Sequence, residues 1–388
     1  MLGYLLARAG IDVVVLEKYK DFFRDFRGDT VHPSTLEVLY ELGLLEKFLA
    51  LPHDEARRLA GIVGGERIEL ADFTHLPTHC KFIALAPQWD FLNFLSGEAK
   101  AYPGFHLLME TEAKDIIHEN NRIAGVLASS PDGDTEIRAE LVIGADGRHS
   151  TIRDRAGLQS RSLGAPMDVL WFRVSRKGSD PQHTFGQVDR GKIIIMIGRR
   201  DYWQCGYLIR KGDFDAIRAR GIDAFRADVG EIAPQVRDRL AEIASFDDVK
   251  LLTVAVDRLE DWHRDGLLCI GDAAHAMSPI GGVGINLAIQ DAVAAANILV
   301  PAFRSGAPQR HHLAALQKRR EFPTRATQAG QVFIQNNIIR RILGRDVHMS
   351  PPFAFRLFNI FPILRRIPAR LIGIGVRPER PKVFEGPP

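Results

Sequence analysis

The chain has 388 residues, enough for two hydrophobic cores, and its 46% apolar and 26% charged content is that of an ordinary folded protein. A net charge of +3 gives no compositional case for nucleic-acid binding, and Cys80, Cys205 and Cys269 are too few and too scattered for a disulfide framework or a zinc site, which suits a reducing cytoplasm. No stretch reaches the roughly 18 consecutive apolar residues of a membrane span, and Arg8 and Asp12 interrupt the apolar start too early for a secretory signal.

Leu2 to Ala9 reads as the last turns of a helix stopped by Gly10, and Val13 to Leu16 as a β-branched strand buried on both faces. Glu17 stands where that strand ends. In a dinucleotide-binding βαβ unit an acid at this place accepts hydrogen bonds from ribose hydroxyls, and a glycine fingerprint lies about 20 residues earlier. Here that count falls before Met1, so the sequence is expected to begin inside the motif. The bland alternative for Glu17 is a solvated strand end. Arg24 and Arg27 precede an amphipathic helix that starts near Pro33. Basic groups beside a helix N-terminus suit a pyrophosphate, and surface arginines are the alternative.

From Ala60 to Ala86 short alternating segments look like strands, and Pro87 to Ala101 reads as a helix with Phe91, Leu92 and Leu95 buried and Gln88 at its start. Turn signals between Phe105 and Arg138 argue for a small antiparallel meander. Leu141 to Gly147 is a buried strand ending in Asp146-Gly147, continued as D-G-x-x-S-x-x-R through Ser150 and Arg153. As a bare pattern this is a strand-to-helix turn capped by Ser150.

Four β-rich segments between Asp168 and Lys211 suggest a separate antiparallel sheet, with Trp171, Phe185, Met196, Trp203 and Tyr207 either walling an apolar pocket or forming plain core. Helical segments follow at Phe214 to Val229 and Glu231 to Ile243, then a strand at Val249 to Val256. Leu267 to Asn286, LLCIGDAAHAMSPIGGVGIN, reads as a buried strand, a carboxylate at Asp272, a rigid turn at Pro279 and bare glycine backbone facing the start of an alanine-rich helix. Beyond Pro308 the chain is expected to be helical and bent or broken at Pro323. The tail, rich in arginine and large apolar residues, has two readings: peripheral contact with a membrane surface, or docking on the protein's own surface. Pro362 and Pro368 exclude one continuous helix there.

Glu17 with Arg27, Asp146-Gly147 with Arg153, and Gly271-Asp272 with Pro279 to Asn286 stand in an order that resembles the class A flavoprotein monooxygenases, the p-hydroxybenzoate hydroxylase-like FAD enzymes, across most of the chain. The resemblance implies an α/β fold: a discontinuous Rossmann-like FAD-binding domain (1–60, 87–166, 257–305), an inserted antiparallel-sheet substrate domain (61–86, 167–256) and a C-terminal helical region (306–388). It implies FAD held by Glu17, Arg27, Gln88, Asp146, Asp272, Gly284, Ile285 and Asn286. Pro279 would lie beside the reacting face of the flavin, and Gly147 and Arg153 would belong to a segment serving both FAD and NAD(P)H. His275 belongs to a structural turn in the family. His183 and Tyr207 are guesses for a substrate-activating group.

The implied activity is hydroxylation of an apolar or aromatic small molecule by O2: NADPH or NADH reduces FAD, O2 adds as a C4a-hydroperoxide, and one oxygen passes to the substrate. Two alternatives remain at this point. One is an FAD-dependent reductase or dehydrogenase of prenyl or lipid-like substrates. The other is a non-catalytic remnant that binds FAD weakly because the phosphate loop is missing. Oligomeric state does not follow from the residues.

Overall fold

The computed structural model describes residues 1–23, 30–181, 184–345 and 347–384. In chain order, helix α1 (Leu2–Arg8) runs through Gly10, at φ +78°, into strand β1 (Val13–Leu16), and helix α2 (Pro33–Glu41) starts with proline at its first turn. Proline is tolerated there because the first N–H groups of a helix have no intrahelical acceptor. Strands β2 (Arg58–Val63) and β3 (Glu66–Asp72) form a hairpin, and helix α3 (Gln88–Ala99) leads to β4 (Phe105–Leu108). After the expected three-stranded meander come β5 (Val142–Gly144), β6 (Met167–Ser175), β7 (Phe185–Asp189), β8 (Lys192–Gly198) and β9 (Tyr202–Arg210). Helix α4 (Ile222–Ile232), β10 (Lys250–Leu252) and β11 (Leu267–Cys269) follow, then helices α5 (Gly284–Arg304), α6 (Arg310–Ile334), α7 (Phe353–Ile360) and α8 (Arg366–Gly373).

Two parallel strand pairs form the nucleotide-type part. β1 pairs with β4 from Val13 opposite Phe105 to Leu16 opposite Leu108, and β5 pairs with β11 from Val142 opposite Leu267 to Gly144 opposite Cys269. Gly3 lets α1 lie directly on the first pair, because a Cβ there would meet Val15 Cγ2 at 2.9 Å. α5 is buried along most of its length, and its alanines permit close approach to the strands and to α6. It is long and apolar enough to cross a membrane, but 72% of that apolar window is buried inside the protein.

The second part is a seven-stranded sheet in the order β10-β6-β9-β8-β7-β2-β3, antiparallel except where β7 meets β2. Its two faces are both apolar. Leu170, Phe172, Ile194, Met196, Trp203, Cys205 and Tyr207 pack under α4 against Phe225 and Val229, while their alternating neighbours Val169, Trp171, Ile193, Ile195 and Ile197 face a cavity. The period of two along each strand separates the two sets.

Four expectations need correction. β1 is not buried on both faces: Val14 is 44% exposed and the strand lines the cavity. α6 continues through Pro323 without a break: the ring is buried, its carbonyl accepts the Thr327 hydroxyl at 2.9 Å, and tertiary packing outweighs the lost backbone bond. The expected helix over Phe214 to Val229 is interrupted at Gly221, whose φ of +87° belongs to no right-handed helix. The expected strand at Val249 to Val256 is regular only over β10.

Candidate active site

The sequence from Gly271 to Gly284 holds a tight chain of turns between β11 and α5. Gly271, Gly281 and Gly282 adopt φ of +57°, +77° and +62°, a region L side chains rarely enter, and a Cβ on Gly282 would lie 2.6 Å from Thr30 Oγ1. Backbone conformation therefore favours glycine at all three positions, and close approach adds to the requirement at Gly282. Thr30 Oγ1 donates to the Gly282 carbonyl at 3.1 Å, fixing the turn against the segment before α2.

A buried charge cluster holds the same turn from behind. Asp291, on α5 and fully buried, accepts the Gly271 N–H at 3.1 Å, contacts His275 Nε2 at 2.6 Å and accepts Arg320 Nε–H at 2.8 Å. Burial alone would raise the Asp291 carboxyl, but His275 and Arg320 more than offset it and hold the group below its ordinary range. His275 is 1% exposed and lies beside Trp262, with ring centroids 4.9 Å apart. Its imidazole is a structural clip, as the resemblance implies.

In front of the turn lies one cavity of about 2780 Å³ that runs from the parallel strand pairs to the exposed face of the large sheet. Glu17, Gln88, Asp146, Gly147, Asp272, Pro279, Gly284 and Ile285 all line it. β1 and β5 line it too, so the two parallel pairs face one another across this space, each with an edge that pairs with no strand among the described residues. Arg27 and His183 lie outside the described residues.

The residues differ in what already engages them. Glu17 Oε1 accepts the Tyr19 N–H at 3.0 Å. Asp272 lies 4.0 Å from the Arg148 guanidinium, with its side chain 38% exposed toward the cavity. Asp146 Oδ1 accepts the Ser150 hydroxyl and Oδ2 the Ile152 N–H at 3.1 Å, while Ser150 Oγ accepts the Arg153 N–H at 3.0 Å. The D-G-x-x-S-x-x-R pattern thus builds a capped turn at the cavity edge. Arg153 itself is buried, donates to the Arg148 carbonyl at 3.0 Å and does not line the cavity.

Asn286 also turns away from the cavity. Its Oδ1 accepts the Thr35 hydroxyl at 2.7 Å, tying α5 to α2, and its buried Nδ2 has no partner among the described residues. The first N–H groups of α5, from Gly284 to Asn286, precede the first helical acceptor and stand at the positive end of a 21-residue helix.

These groups fit FAD. A carboxylate at a strand end suits ribose hydroxyls, glycine backbone leaves room for a flat ring, and unpaired N–H groups at a long helix start suit a carbonyl that gains negative charge on reduction. The far part of the cavity is apolar, walled by Leu59, Ile68, Leu85, Trp171, Ile195 and Ile197. Tyr207 points away from it into the core, where burial pushes its phenol up, so it does not serve as a substrate-facing base. Sequence reasoning missed His348, which lines the cavity and binds Asp189 Oδ2 at 3.0 Å, together with Arg341 and Arg345. They follow α6 on a stretch with no motif, and only tertiary folding brings them to the site.

Comparison with known proteins agrees with this geometry. The FAD binding domain family matches residues 1–330. The chain is 29% identical over 372 residues to 6-methylpretetramide 4-monooxygenase of Streptomyces rimosus, covering 95% of this chain and 88% of that protein. It is 28% identical over 318 residues to rifampicin monooxygenase of Rhodococcus hoagii, covering 75% of this chain but only 59% of that longer protein. The crystal structure of p-nitrophenol 4-monooxygenase PnpA from Pseudomonas putida shares the fold with a TM-score of 0.77 at 19% identity, over 97% of this chain and 95% of PnpA.

Proposed function

The chain belongs to the FAD binding domain family, and we propose that it is an NAD(P)H-dependent FAD monooxygenase that hydroxylates an apolar, aromatic small molecule. The observation that carries this reading is one cavity joining the glycine turn and helix start of the flavin-type half to an apolar sheet face. The relatives 6-methylpretetramide 4-monooxygenase and rifampicin monooxygenase support the monooxygenase reading.

In this reading Glu17 would hold the adenosine ribose, Asp272 the ribityl or pyrophosphate region, and Gln88 the flavin. The N–H groups of Gly284, Ile285 and Asn286 would hold the flavin's pyrimidine edge, with Pro279 beside the flavin. Arg27 would lie along the FAD chain. Asp146, Gly147 and Arg153 shape the segment that both FAD and the nicotinamide cofactor approach. Bound FAD supplies the electron transfer and oxygen activation. The protein's share is to orient the partners, to stabilise negative charge at the start of α5, and to exclude water with Trp171 and the isoleucines of β8. The balance is one O2, one NAD(P)H and one proton consumed per substrate hydroxylated, with water and NAD(P)+ released.

The test is turnover under labelled O2 with aromatic polyketide candidates. One labelled oxygen atom in the product supports the proposal. Substrate-dependent NAD(P)H oxidation with a label-free product would replace it with a reductase.

A further inference from the structure

α7 and α8, joined by a short turn at Pro362–Arg365, lie on β3, the edge strand of the large sheet. Pro368 falls in the first turn of α8, where its missing N–H costs little, so two short helices replace one long one. Their inner side is firmly fixed. Asn359 accepts the Glu69 N–H at 3.2 Å and donates to the Arg67 carbonyl at 2.8 Å, Arg365 pairs with Glu69, and His32 Nδ1 lies 2.8 Å from the Ile372 carbonyl. Phe355, Phe358, Pro368 and Ile372 line the cavity from this side.

The outer side is different. Phe353, Ile360, Phe361, Ile363, Ile367 and Leu371 are 74, 58, 52, 65, 60 and 57% exposed. Ile367 and Leu371 are one helical turn apart, and Arg366 and Arg370 form the neighbouring row, exposed and with no ion pair to any described residue. From Val347 to Pro378 the sequence contains five arginines and no Asp or Glu. Water is a poor solvent for six large apolar groups held together, and such a patch marks a surface that is covered in use. A symmetric pairing of two copies through this face would bring the unpaired arginines together with no acid between them. An anionic lipid surface meets both needs: its phosphates take the arginines, and the boundary between headgroups and acyl chains takes the apolar row.

We propose that the outer face of α7 and α8 docks on anionic membrane surfaces, so that the helices walling the cavity sit where an apolar substrate dissolves. Delivery of substrate from the bilayer rests on the monooxygenase reading; docking does not, and it is measured without turnover.

The experiment is co-sedimentation of the full chain with vesicles of phosphatidylcholine, with or without one third phosphatidylglycerol. Binding to the anionic vesicles that weakens with added salt is expected, with little on the neutral ones. Arg366→Gln with Arg370→Gln should weaken it by about thirtyfold, the effect of two surface arginines. Ile363→Ser, Ile367→Ser and Leu371→Ser together should abolish it while circular dichroism and thermal midpoint stay unchanged. No binding to anionic vesicles, or binding that both variants retain, overturns the proposal. So does a wild-type dimer that the apolar variant dissociates, since the face would then be occupied by a second copy.

Discussion

Replacing Asp291 by Asn tests whether the turn in front of α5 is held by buried charge. The carboxylate is wholly buried and serves three groups at once: the Gly271 N–H, His275 Nε2 and Arg320 Nε–H. Asn keeps the volume but loses the charge, and its amide NH2 would face one of the donors. Arg320, 1% exposed, would retain Glu379 at 3.6 Å as its one ionic partner among the described residues. Removing one member of a buried ion pair costs about 3–5 kcal/mol, a large share of a total stability of about 5–15 kcal/mol. Urea unfolding followed by circular dichroism should show that loss, and the Arg320→Met variant should lose a similar amount. Because the two share one network, the double variant should lose clearly less than the sum. A cost below about 1 kcal/mol for Asp291→Asn, or strict additivity, would refute the view that this cluster anchors the turn.

Other outcomes follow from single groups. His32 is buried with its Nδ1 2.8 Å from the Ile372 carbonyl and no charged partner among the described residues, and burial lowers its pKa to about 4 from 6.5. The folded state therefore binds fewer protons than the unfolded one, so stability is full above about pH 6.5 and falls by about 3 kcal/mol as pH drops toward 4. Urea midpoints across that window should show the fall, and His32→Gln should flatten its share; an unchanged slope contradicts the assignment. Gly282→Ala places a Cβ against Thr30 at a φ of +62° and should cost about 1–3 kcal/mol in thermal unfolding, whereas Gly43→Ala, with open space around it but φ +73°, should cost about 1 kcal/mol. Equal losses at the two glycines would remove the close-approach argument.

The expected flavoprotein family is the one matched, and the reason it was legible lies in local chemistry. Val13 to Leu16 and Leu267 to Cys269 are short runs whose β-branched or apolar residues end in an acid or a glycine turn, so strand, turn and ligand-facing group are all encoded within a few residues. The turn at Gly281-Gly282 is encoded the same way, because only glycine tolerates that backbone. What stayed hidden depends on the third dimension. Trp171 and Trp203 occupy the same sheet, yet only the first faces the cavity, because both faces of that sheet are apolar and alternation does not say which one packs under α4. Of the bend or break expected at Pro323, the break does not occur, because the ring is buried by distant segments that the local sequence does not show. The motif residue Arg153 does not line the cavity, because its buried side chain donates to the Arg148 carbonyl and to Asp154, contacts that the spacing alone does not show.

The most direct measurement of the central claim is fluorescence titration of the purified chain with FAD, in parallel with Asp272→Ala. Saturable binding is expected, with the flavin signal altered on transfer into the cavity, and binding at least about tenfold weaker in the variant, the loss of one charged hydrogen-bonding group. No saturable FAD binding, or binding that Asp272→Ala leaves unchanged, would contradict it.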